Sequence, residues 1–165
     1  MRTIPIVPGE FALVDEIDFD LVCQYKWRAS KRPTNIYVMT TIYDSITTLS
    51  RGILMHRLIL QAPLGTEIDH IDGNGLNNQR ANLRYATRQQ NNRNRKKHKC
   101  GSSQYKGVSL AAGSIHTVKK WRATIYDTGR KKICLGTFET EIEAALAYDN
   151  RAKALFGAFA RLNFP

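Results

Sequence analysis

Cysteine is scarce in this 165-residue chain, and so is negative charge. Cys23, Cys100 and Cys134 are scattered, odd in number and never form a Cys-x-x-Cys pair. They offer no zinc site and suggest a reducing compartment. Long apolar runs are missing as well. None approaches the ~18 residues that a membrane span requires, and the opening MRTIPIVPGEF has no apolar signal-peptide core. A soluble, cytoplasmic protein with no membrane partner is therefore expected. Only 14 Asp and Glu stand against 25 Lys and Arg, for a formal charge of +11 and a pI of about 9.8. Such an excess points to a polyanion, with nucleic acid ahead of anionic membrane. An apolar content of 42% leaves room for a core and argues against wholesale disorder.

The chain reads as three patterned blocks without internal repeats. Residues 1–50 carry short strand-like runs at 10–14 and 36–42, with Asp18 expected to cap a short helix reaching Tyr25. A central block, 51–97, holds an unusual crowd of asparagines. The stretch RKKHKCGSSQ then changes to charge followed by Gly and Ser, which makes 98–104 a solvated linker. Residues 105–165 offer three strands, at 105–110, 120–126 and 132–138, followed by one helix. Thr140 and Glu143 form a capping box at its start, and Gly157 is its stop. Ile142, Ala145, Ala152 and Leu155 recur at helical spacing, and the alanines permit close packing on a sheet.

The asparagines surround one Asp-His pair in TEIDHIDGNGLNNQRANLRYATRQQNNRN (66–94). Asp69 is a hard oxygen donor suited to a divalent cation such as Mg²⁺, and His70 titrates near neutrality and can take a proton from water. Neighbours on a flat strand point to opposite faces, so both serve one site only where the strand ends. The turn sequence DGNG follows at once. Thr87 and Gln90 form a second capping box, which starts a helix at Arg88 and puts Asn91 in its first turns. The Asn91 amide oxygen is then a candidate neutral ligand, and Asn82 a candidate to pin the intervening loop. His56, behind an apolar run, reads as packed or backbone-bonded rather than as a ligand. His98 and His116 lie in polar loop-like stretches and receive no role.

IDHIDGNGLNNQRANLRYATRQQNNRN, with MHRLIL upstream, resembles the HNH homing endonucleases of phages and introns. The resemblance covers residues 51–97 and implies a ββα-metal nuclease core. By position it makes His70 the general base, Asn82 the residue that orients the loop, and Asp69 and Asn91 the ligands of one Mg²⁺ or Mn²⁺. Asn92 is adjacent, and a one-residue slip would exchange it with Asn91. Arg84, Arg88 and Arg95 are then candidates to neutralise flanking phosphates.

In the third block, Trp121, Ala123 and Ile125 alternate with Lys120, Arg122, Thr124 and Tyr126, the second set facing outward. YKGV and LGTFETEIEAALAYDNRAKALFGAFARLNFP resemble the plant ethylene-response-factor (Apetala-type) DNA-binding domain, over about residues 103–165. The resemblance implies a three-stranded sheet that reads DNA, with Lys106, Arg122, Thr124, Tyr126 and Lys132 on the reading face. Ser109, Ala111, Thr124, Tyr126 and Cys134 depart from the plant pattern, and the segment 111–119 differs too. The fold therefore carries over, and the plant target sequence does not. Together the two resemblances imply an α+β protein and a site-specific, metal-dependent endonuclease of double-stranded DNA, acting as a monomer. A DNA-binding regulator with an inert nuclease site and a nuclease of relaxed specificity remain open.

Overall fold

Alternating apolar residues draw much of the first half of the chain into strands. The computed structural model describes residues 1–32, 35–44, 48–97, 101–111 and 120–165. Cys100, His98, His116 and most of the divergent segment 111–119 thus lie outside the described residues. The protein is a mixed α+β chain in two units, Met1–Asn91 and Asn92–Pro165.

In the first unit, β1 (Arg2–Val7), β2 (Glu10–Val14), β3 (Trp27–Lys31), β4 (Ile36–Asp44) and β5 (Leu49–Leu54) form one sheet in the order β2-β1-β3-β4-β5. Only β1 and β3 pair in parallel. Ile4, Ile6, Ala12, Val14 and Val38 turn inward, and Met55, Ile59, Ile68 and Leu83 join them in one core. Residues 1–50 and the block that follows therefore share a core and fold as one body.

α1 (Glu16–Val22) starts behind Asp15, earlier than the sequence suggests, and ends short of Tyr25. Asp18 is no cap but a buried carboxylate inside this helix, 2% exposed. Arg80 meets it with Nε at 2.8 Å and Nη2 at 2.7 Å. A partner 62 residues away compensates the buried charge, and local pattern cannot reveal that. The unit continues through α2 (Met55–Ile59), β6 (Glu67–His70), a 3-10 turn (Arg80–Asn82), β7 (Leu83–Ala86) and the start of α3 (Arg88–Arg93). β6 and β7 pair antiparallel, with Asp69 opposite Arg84 and His70 opposite Leu83. The capping box ahead of α3 is formed: Gln90 N donates to Thr87 Oγ1 at 3.2 Å and Thr87 N to Gln90 Oε1 at 2.8 Å.

The second unit sets β8 (Val108–Leu110), β9 (Trp121–Tyr126) and β10 (Lys132–Phe138) into an antiparallel sheet, β10-β9-β8, packed on α4 (Glu141–Phe156). The Thr140–Glu143 capping box opens α4 and Gly157, at φ 53°, closes it. The buried stripe of α4 is Ala144, Ala145, Tyr148 and Ala152. Ile142, expected in that stripe, is 54% exposed. It lies roughly 200° around the helix from Ala144, on the far face. Gly107, in YKGV, has φ 78°, and a Cβ there would sit 2.0 Å from the Tyr148 ring, so no other residue fits. The closing Leu-Asn-Phe-Pro is anchored through Asn163. Its N and Nδ2 donate to the buried Asp149 carboxylate at 2.9 Å, and its Oδ1 accepts from Lys106 N at 2.7 Å.

The Gly-Ser stretch is exposed at Gly101 and Ser102 but is tied to the second unit by its serines. Ser103 is buried, its Oγ accepts from Tyr105 N at 2.9 Å, and Ser102 Oγ accepts from Leu110 N at 3.0 Å. Serine hydroxyls replace water for backbone donors at the base of β8, a role that composition does not distinguish from a linker.

Candidate active site and nucleic-acid face

β6 presents its four residues alternately, so Glu67 and Asp69 share one face and Ile68 and His70 the other. Asp69 is 4% exposed, and its Oδ2 accepts from Arg84 Nε at 2.9 Å and Nη2 at 2.6 Å. The cross-strand register of β6 and β7 places that guanidinium. Arg84, a phosphate candidate in the sequence, is therefore engaged by Asp69.

His70 is 3% exposed. Its ring lies 4.9 Å from that of His56 at an interplanar angle of 88°, and 5.8 Å from that of Tyr37. Burial lowers its pKa below the ordinary 6.5, although the Asn78 amide and the Asp72 and Asp69 charges pull the other way. The imidazole is thus neutral at neutral pH, the form that accepts a proton.

The loop after β6 is tied to the 3-10 turn by Asn82. Its backbone O accepts from Ile71 N at 2.9 Å and its Oδ1 from Asp72 N at 3.0 Å. Its Nδ2 donates to Asp72 Oδ1 at 3.0 Å and to Asn77 O at 2.8 Å. Asp72 also accepts from Asn74 N and Asn77 Nδ2. Burial pushes the Asp72 pKa up, but these hydrogen bonds outweigh it and the net direction is down. Gly75 passes so near β4 that a Cβ would lie 2.1 Å from Ile36 O. Asparagine side chains thus replace the regular ladder that an irregular loop lacks.

On α3, Asn91 Nδ2 donates to Glu67 Oε2 at 3.1 Å. Glu67, which the sequence reading passed over, lies two before Asp69 on the strand and so shares its face. Asn92 and Arg88 are exposed. The donor set suits a hard cation. Asp69 supplies a carboxylate, and with Nδ2 held by Glu67 the amide oxygen is the donor left to Asn91. Among the described residues no three His, Cys, Asp or Glu gather as ligands.

In the second unit Arg122 and Thr124 are half-buried, while Tyr126 and Lys132 are exposed. Register sets Lys132 opposite Tyr126, Cys134 opposite Thr124, and Ser109 opposite Arg122, so these side chains form one open face. Ala123 and Ile125 turn to α4. Lys106 departs from its expected place on that face. Its Nζ donates to Arg93 O at 2.6 Å and Arg95 O at 2.7 Å, and burial beside Arg161 and Arg93 pushes its pKa down to about 8. Arg95 is exposed, its carbonyl held by that ammonium.

Residues 54–93 match the family model described as HNH endonuclease. An uncharacterized HNH endonuclease of Acanthamoeba polyphaga mimivirus is 32% identical over 157 residues, covering 94% of this chain and 75% of that protein. A putative dehydration-responsive element-binding protein 2H of Arabidopsis thaliana is 55% identical over 47 residues, covering 28% of this chain and 30% of that protein. Dehydration-responsive element-binding protein 2D of the same plant is 46% identical over 65 residues, covering 39% and 29%. The chain thus spans less than a third of these two plant relatives and three quarters of the viral one. Among the described residues no helix is long and apolar enough to cross a membrane. On the viral relative and the family model together, the chain belongs to the HNH endonuclease family.

Proposed function

We propose that the chain is a site-specific, divalent-metal-dependent endonuclease of double-stranded DNA, of the homing type. Its nuclease core is the ββα-metal arrangement of β6, β7 and α3. What carries the reading is one observation: a buried His70 at the end of β6, next to Asp69, with its exit loop fastened by Asn82. His70 takes a proton from the attacking water. Asn82 keeps the loop from drifting and so holds the base in place. Asp69 and the Asn91 oxygen would hold Mg²⁺ or Mn²⁺, with Glu67 orienting the amide. When bound, such a cation polarises the scissile phosphate and stabilises the leaving oxygen. Arg88 and Arg95, both exposed, meet flanking phosphates in this reading.

The second unit's open sheet face, with Arg122, Thr124, Tyr126 and Lys132, contributes sequence-selective binding. The names of the plant relatives describe binding to a dehydration-responsive element. We extend DNA binding to this chain, and not the element, because the face here carries different residues. One nuclease site per chain suits a monomer that nicks one strand. Supercoiled plasmid bearing candidate target sites, incubated with the full chain and Mg²⁺, should yield nicked circles, and chelation should abolish them. Binding without cutting would leave a DNA-binding regulator instead, and cutting of every plasmid alike would refute the site selectivity.

A further inference from the structure

His56 holds neither proton nor cation in this scheme, yet its ring lies closer to His70 than Tyr37 does, 4.9 Å against 5.8 Å. Tyr37 and His56 are themselves 5.9 Å apart at 65°. Three rings therefore close on one another, and each is held by the other two. Near-perpendicular packing sets the edge of one ring against the face of another, a geometry that fixes orientation as well as filling space. His56 is 5% exposed, and its Nδ1 has no hydrogen-bond partner among the described residues. Burial, then the nearby His70 and Arg57 charges, push its pKa down to about 3, so it packs as an uncharged ring.

The neighbouring residue works on the strand rather than the ring. Arg57 Nη2 donates to Pro63 O at 2.6 Å and to Ala62 O at 3.2 Å, and its Nη1 reaches Thr66 O. Those carbonyls belong to the segment that enters β6. Two successive residues of α2 thus meet the two things a fixed base needs: a fixed strand and a fixed ring.

We infer that His56 is a positioning residue that, with Tyr37, locks the His70 imidazole in one orientation by ring packing. The inference rests on His70 being the general base. It is tested with the full chain, measuring single-turnover cleavage of plasmid in Mg²⁺ and DNA affinity separately in Ca²⁺. His56→Ala should slow cleavage by roughly 10- to 100-fold, the scale set by small misplacements of reacting groups. DNA affinity and the Mg²⁺ requirement should not move. His56→Phe keeps a ring and discards the nitrogens, and it should recover most of the lost rate. In a His70→Ala background His56→Ala should cost nothing further, because the ring it positions is gone. Should His56→Ala fold poorly, His56→Phe and Tyr37→Leu carry the same test, Tyr37→Leu slowing cleavage without loss of affinity. Wild-type cleavage by His56→Ala overturns the inference, as does His56→Phe no faster than His56→Ala, or a full additive loss in the double variant. If His70→Ala itself cuts normally, the general-base reading has failed. An inactive His70→Ala beside a fully active His56→Ala removes the positioning role alone.

Discussion

The two units differ most in charge. Residues 1–91 carry 10 Lys and Arg and 9 Asp and Glu, a net +1, whereas residues 92–165 carry 15 and 5, a net +10. In the first unit the cationic and amide side chains at the site are spent on partners within it: Arg80 on Asp18, Arg84 on Asp69, Asn91 on Glu67. In the second, Lys132 and Tyr126 stand exposed on a sheet face. The contrast separates two demands. Attracting a polyanion needs many unscreened charges, whose reach at physiological salt is about 8 Å. Breaking a phosphodiester needs a few groups held still in a buried setting. On the proposed function, a near-neutral unit buries His70 and a strongly basic one supplies affinity.

That division is broken most directly at His70. His70→Ala should lower single-turnover cleavage by about 10²–10⁴-fold, the usual contribution of a general base. DNA binding should stay near wild type. Undiminished cleavage would remove His70 from the chemistry, and lost binding would show that the near-neutral unit supplies affinity after all.

Acid should distinguish the units next. His56 has a folded pKa of about 3 against an ordinary 6.5, so its neutral form favours the folded state. The stability it confers is complete above pH 6.5 and is lost as pH falls from 6.5 towards 3, on the order of a few kcal/mol. His56→Phe should therefore shift acid unfolding of the first unit, followed by Trp27, to lower pH. The second unit, followed through Trp121, has no histidine among its described residues and should keep its midpoint. Equal movement of both transitions would contradict the assignment.

Smaller effects are expected around the cation. Glu67→Gln, by loosening the Asn91 amide, should raise the Mg²⁺ requirement for cleavage by about 10- to 100-fold, as outer-shell changes commonly do. Asn92→Ala should matter much less than Asn91→Ala. The reverse order would mean that the wrong asparagine has been assigned. The least disruptive change is on the sheet. Arg122→Ala should weaken binding and, if it meets a phosphate, reduce the salt slope by about 1, leaving cleavage of saturated DNA unchanged. Lys106→Ala should instead lower the melting temperature of the second unit with no change in salt slope, because its ammonium serves two carbonyls.

What could be read without coordinates was local. The capping boxes at Thr87 and Thr140 formed as their spacing implied, because the groups they join lie three residues apart. The strands at 10–14 and 132–138 appear with those bounds, since alternation is a property of neighbours. Asp69, His70, Asn82 and Asn91 were named from their order along the chain. Ile142 was misplaced because helical spacing alone does not say which of two apolar stripes meets the sheet.

The residues that hold the site in place were not legible, for a common reason. Tyr37 reaches His70 across 33 positions, through the register of β4 and the close approach of the loop at Gly75. Arg80 reaches Asp18 across 62, and Lys106 caps carbonyls on the far side of a segment that read as a linker. The two capping boxes and the strand alternation are set by interactions over a few residues, and the sequence alone determined them. Which ring packs on His70, which carboxylate meets which guanidinium, and which lysine is buried depend on the burial of whole faces. Only the tertiary structure decided those, because a buried polar group is stable solely where the rest of the chain brings it a partner.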